Sequence, residues 1–442
     1  MDTINRLLSY KPLEKILHVL NQESKAYLVG GMVRDSILGK AVNDIDLACI
    51  LEPQAISALL EGHGFRVVPT GIEHGTILVV VDEEPIEITT FRAASARYET
   101  RYSQTIEEDL GGRDFTINAM AIDSVTGALI DPFGGQHDLR AQIVRCVGDP
   151  EARFSEDPLR LLRAIRLGPA AGRTIEPLTA EAIRTCAKLL GSVSIERIRE
   201  ELSKILLSSE PAAGIRAINQ YGLLMYTIPE LEPAVGYEQN KWHVHDVFEH
   251  TLAVIERTPP DLLLRLTALF HDIGKPHTVS VDSNGERHFY HHEYVGTDIC
   301  KAAMHRLKYS NDLIDSTTTL VRYHMRPLKC SDAAVRRLMR DLGPLLDPWR
   351  RFKWADKSPT MPQDEFDLES TDFDARLNTE LNRQDYQART KLVIDGNDIM
   401  REFALKPGPK LGTILNQLKE LILDSPELNT RENLLEIVKG LL

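Results

Sequence analysis

Leu28-Val29-Gly30-Gly31-Met32-Val33-Arg34-Asp35, followed by Asn43-Asp44-Ile45-Asp46-Leu47, is the stretch on which the fold turns. Tyr27-Leu28-Val29 reads as a short strand that stops at a glycine pair, and a helix carrying Arg34 follows. A glycine pair between strand and helix lets the backbone approach an anion closely, and free N–H groups at the helix start favour negative charge. In an extended strand, residues i and i+2 share a face, so Asp44 and Asp46 can grip one hard cation such as Mg²⁺ together. Taken alone, the glycine pair is an ordinary turn and Asn-Asp-x-Asp a polar one.

Working outward, Leu7, Leu8, Leu13, Ile16, Leu17 and Leu20 recur at helical spacing ahead of this stretch. Strands are expected at Thr76 to Val81, at Ile86 to Phe91 and around Ala119 to Ile122, with a hairpin turn in Ser124 to Ile130. Glu87 places a third acid on a neighbouring strand, where it either completes the metal site or is a polar strand residue. From Pro158 onward strand signals nearly vanish. The expected fold class is α+β, with a small mixed-sheet head followed by an all-α neck, body and tail. The boundaries expected are 1–145, 146–235, 236–358 and 359–442. The stretch Ser358 to Asp374 has no clean period and reads as a break, and Lys406-Pro407-Gly408-Pro409 as a turn before a helix near Leu411.

The chain has 442 residues, 43% apolar and 26% charged, so disordered and membrane classes drop away. Its net charge of −13 gives no bulk attraction to a polyanion, and any nucleic-acid surface must be a local basic strip. Five scattered cysteines without CxxC spacing argue against zinc ribbons and a disulfide framework. With no basic n-region or long apolar run at the N-terminus, a cytoplasmic location is expected.

Three further segments narrow the reading: Arg113-Asp114-Phe115-Thr116-Ile117-Asn118-Ala119, Asp131-Pro132-Phe133-Gly134-Gly135 with Asp138-Leu139, and Glu156-Asp157-Pro158-Leu159-Arg160-Leu161-Leu162-Arg163-Ala164. In this order, behind the opening stretch, they resemble the motifs of the class II tRNA nucleotidyltransferases and bacterial poly(A) polymerases, whose head is polymerase-β-like. The resemblance implies that Asp44 and Asp46 are metal-binding catalytic carboxylates and that Gly30, Gly31 and Arg34 hold a triphosphate. It implies that Arg113 and Asp114 read the ribose, that Asp131 to Asp138 is a hinge-like element, and that Asp157 and Arg160 read the incoming base. A carboxylate accepts from an exocyclic amino group and a guanidinium donates to a ring nitrogen or carbonyl. At i and i+3 on a helix the two would share a face. Arg163 and Arg166 extend this basic edge, and Arg197, Arg199 and Lys204 add another, in a segment similar to the family's template-supporting helix. The implied reaction is metal-assisted attack of an RNA 3′-hydroxyl on the α-phosphate of CTP or ATP, with tRNA as partner and pyrophosphate released.

Two departures matter. The family usually has two arginines before the sugar-reading Asp, whereas Gly111-Gly112-Arg113-Asp114 stands here. The stretch from Arg92 to Arg113 is also several residues shorter than in many CCA-adding relatives, in a region linked to the switch from C to A. Full CCA addition, CC addition alone and poly(A) synthesis therefore stay open.

A second constellation runs from His243-Val244-His245-Asp246 through His250 to His271-Asp272-Ile273-Gly274-Lys275, then His292, His324 and Asp356. Mixed histidine and carboxylate ligands suit a divalent transition metal. The pattern resembles the HD phosphohydrolase superfamily, which implies His250, His271, Asp272 and Asp356 as ligands of a second divalent metal, with His292 and His324 nearby. Such a domain either hydrolyses phosphoesters or serves as an RNA-binding scaffold. The chain is a monomer or a homodimer.

Overall fold

The computed structural model describes residues 7–42, 44–68, 72, 75–92, 102–238, 246–357, 362–382 and 391–442. The chain divides into two compact units, Met1–Pro229 and Glu230–Leu442.

The first unit opens with helix α1, Lys11–Glu23, which buries Leu13, Ile16, Leu17 and Leu20 at the spacing read from sequence. Strand β1, Ala26–Val29, then runs into helix α2, Gly31–Ile37. Strand β2, Ile45–Cys49, is followed by helix α3, Pro53–Gly62, and by strands β3, Arg66–Val68, β4, Thr76–Val81, and β5, Glu84–Thr90. Helix α4, Ile106–Gly111, and strands β6, Ala121–Asp123, and β7, Leu129–Ile130, complete the head. The seven strands form one sheet in the order β3-β4-β5-β2-β1-β6-β7. Every pairing is antiparallel except β2 with β5, which is parallel and sets Asp46 directly beside Glu87.

Alternation explains what those strands bury. Ile45 and Leu47 on β2, and Ile86 and Ile88 on β5, point into the core, which leaves Asp46 and Glu87 on the other face. The β6–β7 hairpin turns at Gly127, whose φ of +68° suits glycine.

Helices α5, Gly135–Arg140, α6, Pro150–Glu156, α7, Arg160–Leu167, α8, Pro177–Cys186, α9, Ile195–Leu206, and α10, Pro211–Gln220, continue the unit. Asp157 and Arg160 do not share a helix, contrary to the sequence expectation. The residue before a proline is pushed out of the α region, and Asp157, ahead of Pro158, is extended at φ −140° and ψ 99°. Arg160 instead opens α7.

Among its described residues, the second unit is helical apart from a short hairpin, Ser280–Val281 with Arg287–His288, and its connecting turns. Its principal helices are α11, Val247–Arg257, α12, Leu262–Phe270, α13, His292–Arg306, α14, Asn311–Tyr323, α15, Asp332–Leu342, α16, Leu346–Lys357, and α17, Gln363–Leu381. Most of the stretch read as a break is therefore helix, while residues 358–361 lie outside the described residues. Phe366, Phe373 and Leu377 of α17 are buried, a sparse pattern that its many acids conceal. Helices α18, Gly396–Phe403, α19, Pro409–Asp424, and α20, Arg431–Leu441, pack around Ile399, Ile414, Leu418, Ile422 and Leu434. No helix among the described residues is long and apolar enough to cross a membrane.

Candidate active site and metal centre

A cavity of about 590 Å³ in the first unit gathers residues from distant parts of the sequence. Gly30, Gly31, Asp46, Glu87, Arg92, Asp109, Arg113, Asp114, Asn118, Asp157, Arg160 and Arg163 all line it. Gly30 has φ +72°, and a Cβ there would stand 3.0 Å from Arg113 Nη1 and 3.5 Å from Asp46 Oδ2. Both the backbone conformation and the lack of room require glycine.

Burial, the neighbouring Glu87 and then Asp44 push the Asp46 carboxyl up to about 6, against the opposing pull of Arg113 and Arg163. Such crowding of like charge is what a divalent cation relieves, so these residues fit one. Asp44 is exposed just ahead of β2 and does not line the cavity wall.

Asp114 is buried and accepts from Arg163 Nε at 2.8 Å, from Asn118 Nδ2 at 3.0 Å and from the Phe115 N–H at 2.8 Å. Burial alone would raise its carboxyl, but Arg163 and these hydrogen bonds hold it below the usual range. Asn118 also accepts from Arg34 Nη1 at 2.7 Å, while Arg34 Nε and Nη2 pair with Asp35. Arg34, expected at the triphosphate, is not among the residues that line the cavity, but its Nη2 would stand 3.5 Å from a Cβ at Gly31, against the glycine turn. Arg166 likewise turns away, its Nε donating to Glu201 at 2.7 Å.

The two expected base readers are both held by protein groups. Arg197 grips Asp157 with two bonds of 3.2 and 2.9 Å, and Asp157 also accepts from the Leu159 N–H. Arg160 Nη1 donates to Glu156 and to the Arg153 carbonyl, and its Nη2 to the Gly112 carbonyl at 3.0 Å. Asp138 of the hinge-like segment ties Thr116 Oγ1 to Arg145 Nε. Sequence reasoning gave no role to Asn118, Asp109 or Arg92. Asn118 lay inside a quoted motif, whereas Asp109 carried no signal that separates it from its acidic neighbours.

The second unit holds a buried centre supplied by five helices and their ends. His250 lies on α11, His271 and Asp272 just past α12, His292 at the start of α13, His324 at the end of α14 and Asp356 on α16. His243 and His245 lie outside the described residues. Asp272 sits between two groups: its Oδ2 is 3.5 Å from His250 Nε2 and 3.2 Å from His271 Nε2, and its Oδ1 3.3 Å from His292 Nε2 and 3.6 Å from His324 Nε2. Asp356 Oδ1 closes the first group at 3.7 and 3.5 Å from His250 and His271. His271, His292 and His324 each place Nδ1 within 2.8 Å of the carbonyl three residues earlier. Those contacts favour a proton on Nδ1 and turn Nε2 inward as a ligand atom.

The fit to a metal ion is good. His271 Nε2 is fully buried and makes no well-aligned hydrogen bond, although the Asp272 and Asp356 carboxylates lie within 3.5 Å of it, and the donor set mixes imidazoles with carboxylates. Although burial opposes it, His271 and Lys275 hold Asp272 far below the usual carboxylate range. Lys275 Nζ lies 2.7 Å from Asp272 Oδ2. Buried Lys353, pushed down to about 8 by burial, donates to the His324 carbonyl.

Together the sheet, its carboxylates and the glycine turn define a nucleotidyltransferase head, and the histidine and aspartate cluster an HD-type centre. Family models agree: a poly(A) polymerase head domain matches residues 26–145, and a probable RNA- and SrmB-binding site of polymerase A residues 172–235. An HD domain matches 244–361 and a tRNA nucleotidyltransferase domain 366–438. The chain is 32% identical over 410 residues to an A-adding tRNA nucleotidyltransferase of Deinococcus radiodurans, covering 89% of this chain and 91% of that protein. Over 235 residues it is 40% identical to a CCA-adding enzyme of Bacillus velezensis, 52% of this chain and 57% of that one. The crystal structure of a Bacillus stearothermophilus CCA-adding enzyme shares the fold at a TM-score of 0.72 and 24% identity, with 98% of each chain covered. This chain belongs to the class II tRNA nucleotidyltransferases, the family of CCA-adding enzymes and bacterial poly(A) polymerases, and it carries an HD domain.

Proposed function

We propose that this enzyme adds CMP, AMP or both to the 3′ end of tRNA, from CTP and ATP and without a nucleic-acid template. The observation that carries this reading is the cavity: carboxylates for cations, a glycine turn, the buried Asp114 paired with a half-exposed Arg163, and the Asp157 and Arg160 side chains share one space.

Asp46 and Glu87, with Asp44 at the strand's start, would hold Mg²⁺. When bound, the ion offsets charge on the phosphates and lowers the pKa of the attacking hydroxyl. The chain's own groups position the reactants. Gly30 leaves room for the triphosphate beside Arg113, which donates from Nη1. Arg163 and Asn118 fix Asp114 so that its remaining acceptor capacity meets the ribose. Asp157 and Arg160 present an acceptor and a donor to the base, and the tRNA 3′-hydroxyl attacks the α-phosphate as pyrophosphate leaves.

Incubation with tRNA lacking its 3′ end, CTP and ATP, followed by product sizing, tests this. One to three added residues are expected, and long A tracts would point to a poly(A) polymerase. Incorporation that survives Asp44→Ala/Asp46→Ala would sink the reading. A narrower specificity has the A-adding Deinococcus relative in its favour, while the short Arg92 to Arg113 stretch, by the family resemblance, would point to CC addition alone. Product from CTP alone and from ATP alone separates the cases.

A second activity is supported by the HD centre, where His250, His271, Asp272 and Asp356, with His292 and His324, would hold divalent metal. The ion supplies a Lewis acid for phosphoester hydrolysis, and Lys275 is placed to meet a substrate phosphate beside Asp272. Phosphatase activity that persists in His271→Ala/Asp272→Ala would reject it. The site of action proposed is the cytoplasm, where tRNA, CTP and ATP coexist.

A further inference from the structure

Asp109 is one of the more deeply buried groups of the nucleotide cavity, at 5% exposure, and both of its oxygens are committed. Oδ2 accepts from Arg113 Nε at 3.3 Å and Nη2 at 3.1 Å. Oδ1 accepts the backbone N–H of Arg92 at 3.0 Å, just beyond the strand that carries Glu87. Helix α4 supplies Asp109 in a fixed place, because Thr105 caps it by accepting the Glu108 N–H, and its last turn leads directly into Arg113. Arg92 is anchored from the other side by its antiparallel bridge to Tyr102 and by the Ser103 N–H on the Phe91 carbonyl.

This wiring decides where the Arg113 charge can go. With Nε and Nη2 occupied, Nη1 is the part of the guanidinium turned toward Gly30, and its charge is felt at Asp46. Arg92 lines the same cavity, within range of Glu87 and Asp109. An arginine held at two of its nitrogens loses little further side-chain freedom when the third meets a ligand.

We propose that Asp109 is a positioning residue for nucleotidyl transfer: it holds Arg113 over Gly30 and pins Arg92 at the cavity wall, so that two guanidiniums flank the triphosphate. This rests on the reading of the cavity as the nucleotide site. Asp109 touches no substrate itself; it acts through Arg113.

Steady-state incorporation into truncated tRNA tests the proposal with wild type, Asp109→Asn, Arg113→Ala and the double variant, each checked by thermal melting. Asp109→Asn should raise the nucleotide KM roughly ten-fold, the scale of one lost charge-assisted hydrogen bond, with a smaller change in kcat. In the Arg113→Ala background the same change should move KM by less than about twofold. An equal KM effect in both backgrounds, or none in either, overturns the proposal. If Asp109→Asn melts below the assay temperature, Arg113→Lys replaces it. Lysine keeps the charge without the two-point grip, so the KM should still rise several-fold, and an unchanged KM overturns the idea. Wild type that incorporates nothing would refute the cavity's assignment as the nucleotide site and, with it, this proposal.

Discussion

Gly274→Ala puts the HD centre to a sharp test. Gly274 has φ −78°, which alanine adopts freely, so the cost of substitution is steric and not conformational. A Cβ there would come within 2.2 Å of the His292 carbonyl oxygen and 2.7 Å of the Gly296 backbone nitrogen. Ordinary contact needs about 1 Å more, and both obstacles are backbone. Helix α13 must move, and His292 moves with it, although its Nε2 stands only 3.1 Å from that of His324. Overpacking of this kind costs about 1–3 kcal/mol, or roughly 3–10 °C in the melting of a unit this size. Metal affinity should fall about 10–100-fold, as it does when the support of a ligand is disturbed. Calorimetry and the metal content of protein dialysed against Mn²⁺ or Ni²⁺ measure the two effects, with nucleotide addition by the first unit as internal control. Unchanged melting would refute the steric argument. Lowered melting with full metal content would refute the link from Gly274 to His292.

Other consequences follow from the same geometry. The Asp46 carboxyl is raised in the folded protein, so the native state binds the proton more tightly than the unfolded chain, and stability falls as pH rises from about 4 to about 6. Above that window, in metal-free buffer, Asp46→Asn should be the more stable protein by on the order of 2–3 kcal/mol, yet inactive. Urea melts at pH 4 and pH 8 check this, and a variant less stable than wild type at pH 8 contradicts it. Arg197→Ala removes an exposed pair and should change stability by less than about 1 kcal/mol, while the CTP to ATP preference shifts as Asp157 loses its clamp; an unaltered preference would deny Arg197 a part in base reading. Gly135→Ala places a Cβ 2.2 Å from the Thr116 carbonyl oxygen and should destabilise the head by about 1–3 kcal/mol, seen in chemical denaturation. An unchanged midpoint would show that the Asp131 to Asp138 segment yields.

Much of the head was legible because its signals are local. The strand Thr76 to Val81 and the glycine turn follow from β-branched runs and from the positive φ that only glycine accepts cheaply. Asp157 was read wrongly as part of a helix although Pro158 carries the contrary signal, since the Glu-Asp-x-x-Arg spacing looked helical. The helix Gln363–Leu381 was hidden because its buried residues are few and its acids many. What no local pattern could give is pairing across the chain. That Arg34 turns to Asn118 and Arg166 to Glu201 depends on which elements meet, and the same holds for the split of the other five candidate ligands around Asp272.

The parallel pairing of β2 with β5 has a consequence for how this enzyme comes into being. Asp46 meets Glu87 across forty intervening residues, which include strands with antiparallel pairs of their own, and β1 meets β6 over a longer span still. Local contacts close early and distant ones late, so helix can be present before the two carboxylates are neighbours. A slip of one residue between these strands would bury the acids and expose the isoleucines. Recovery of nucleotide incorporation after dilution from denaturant therefore times the last and least local step of the head's assembly, which helical circular dichroism passes over.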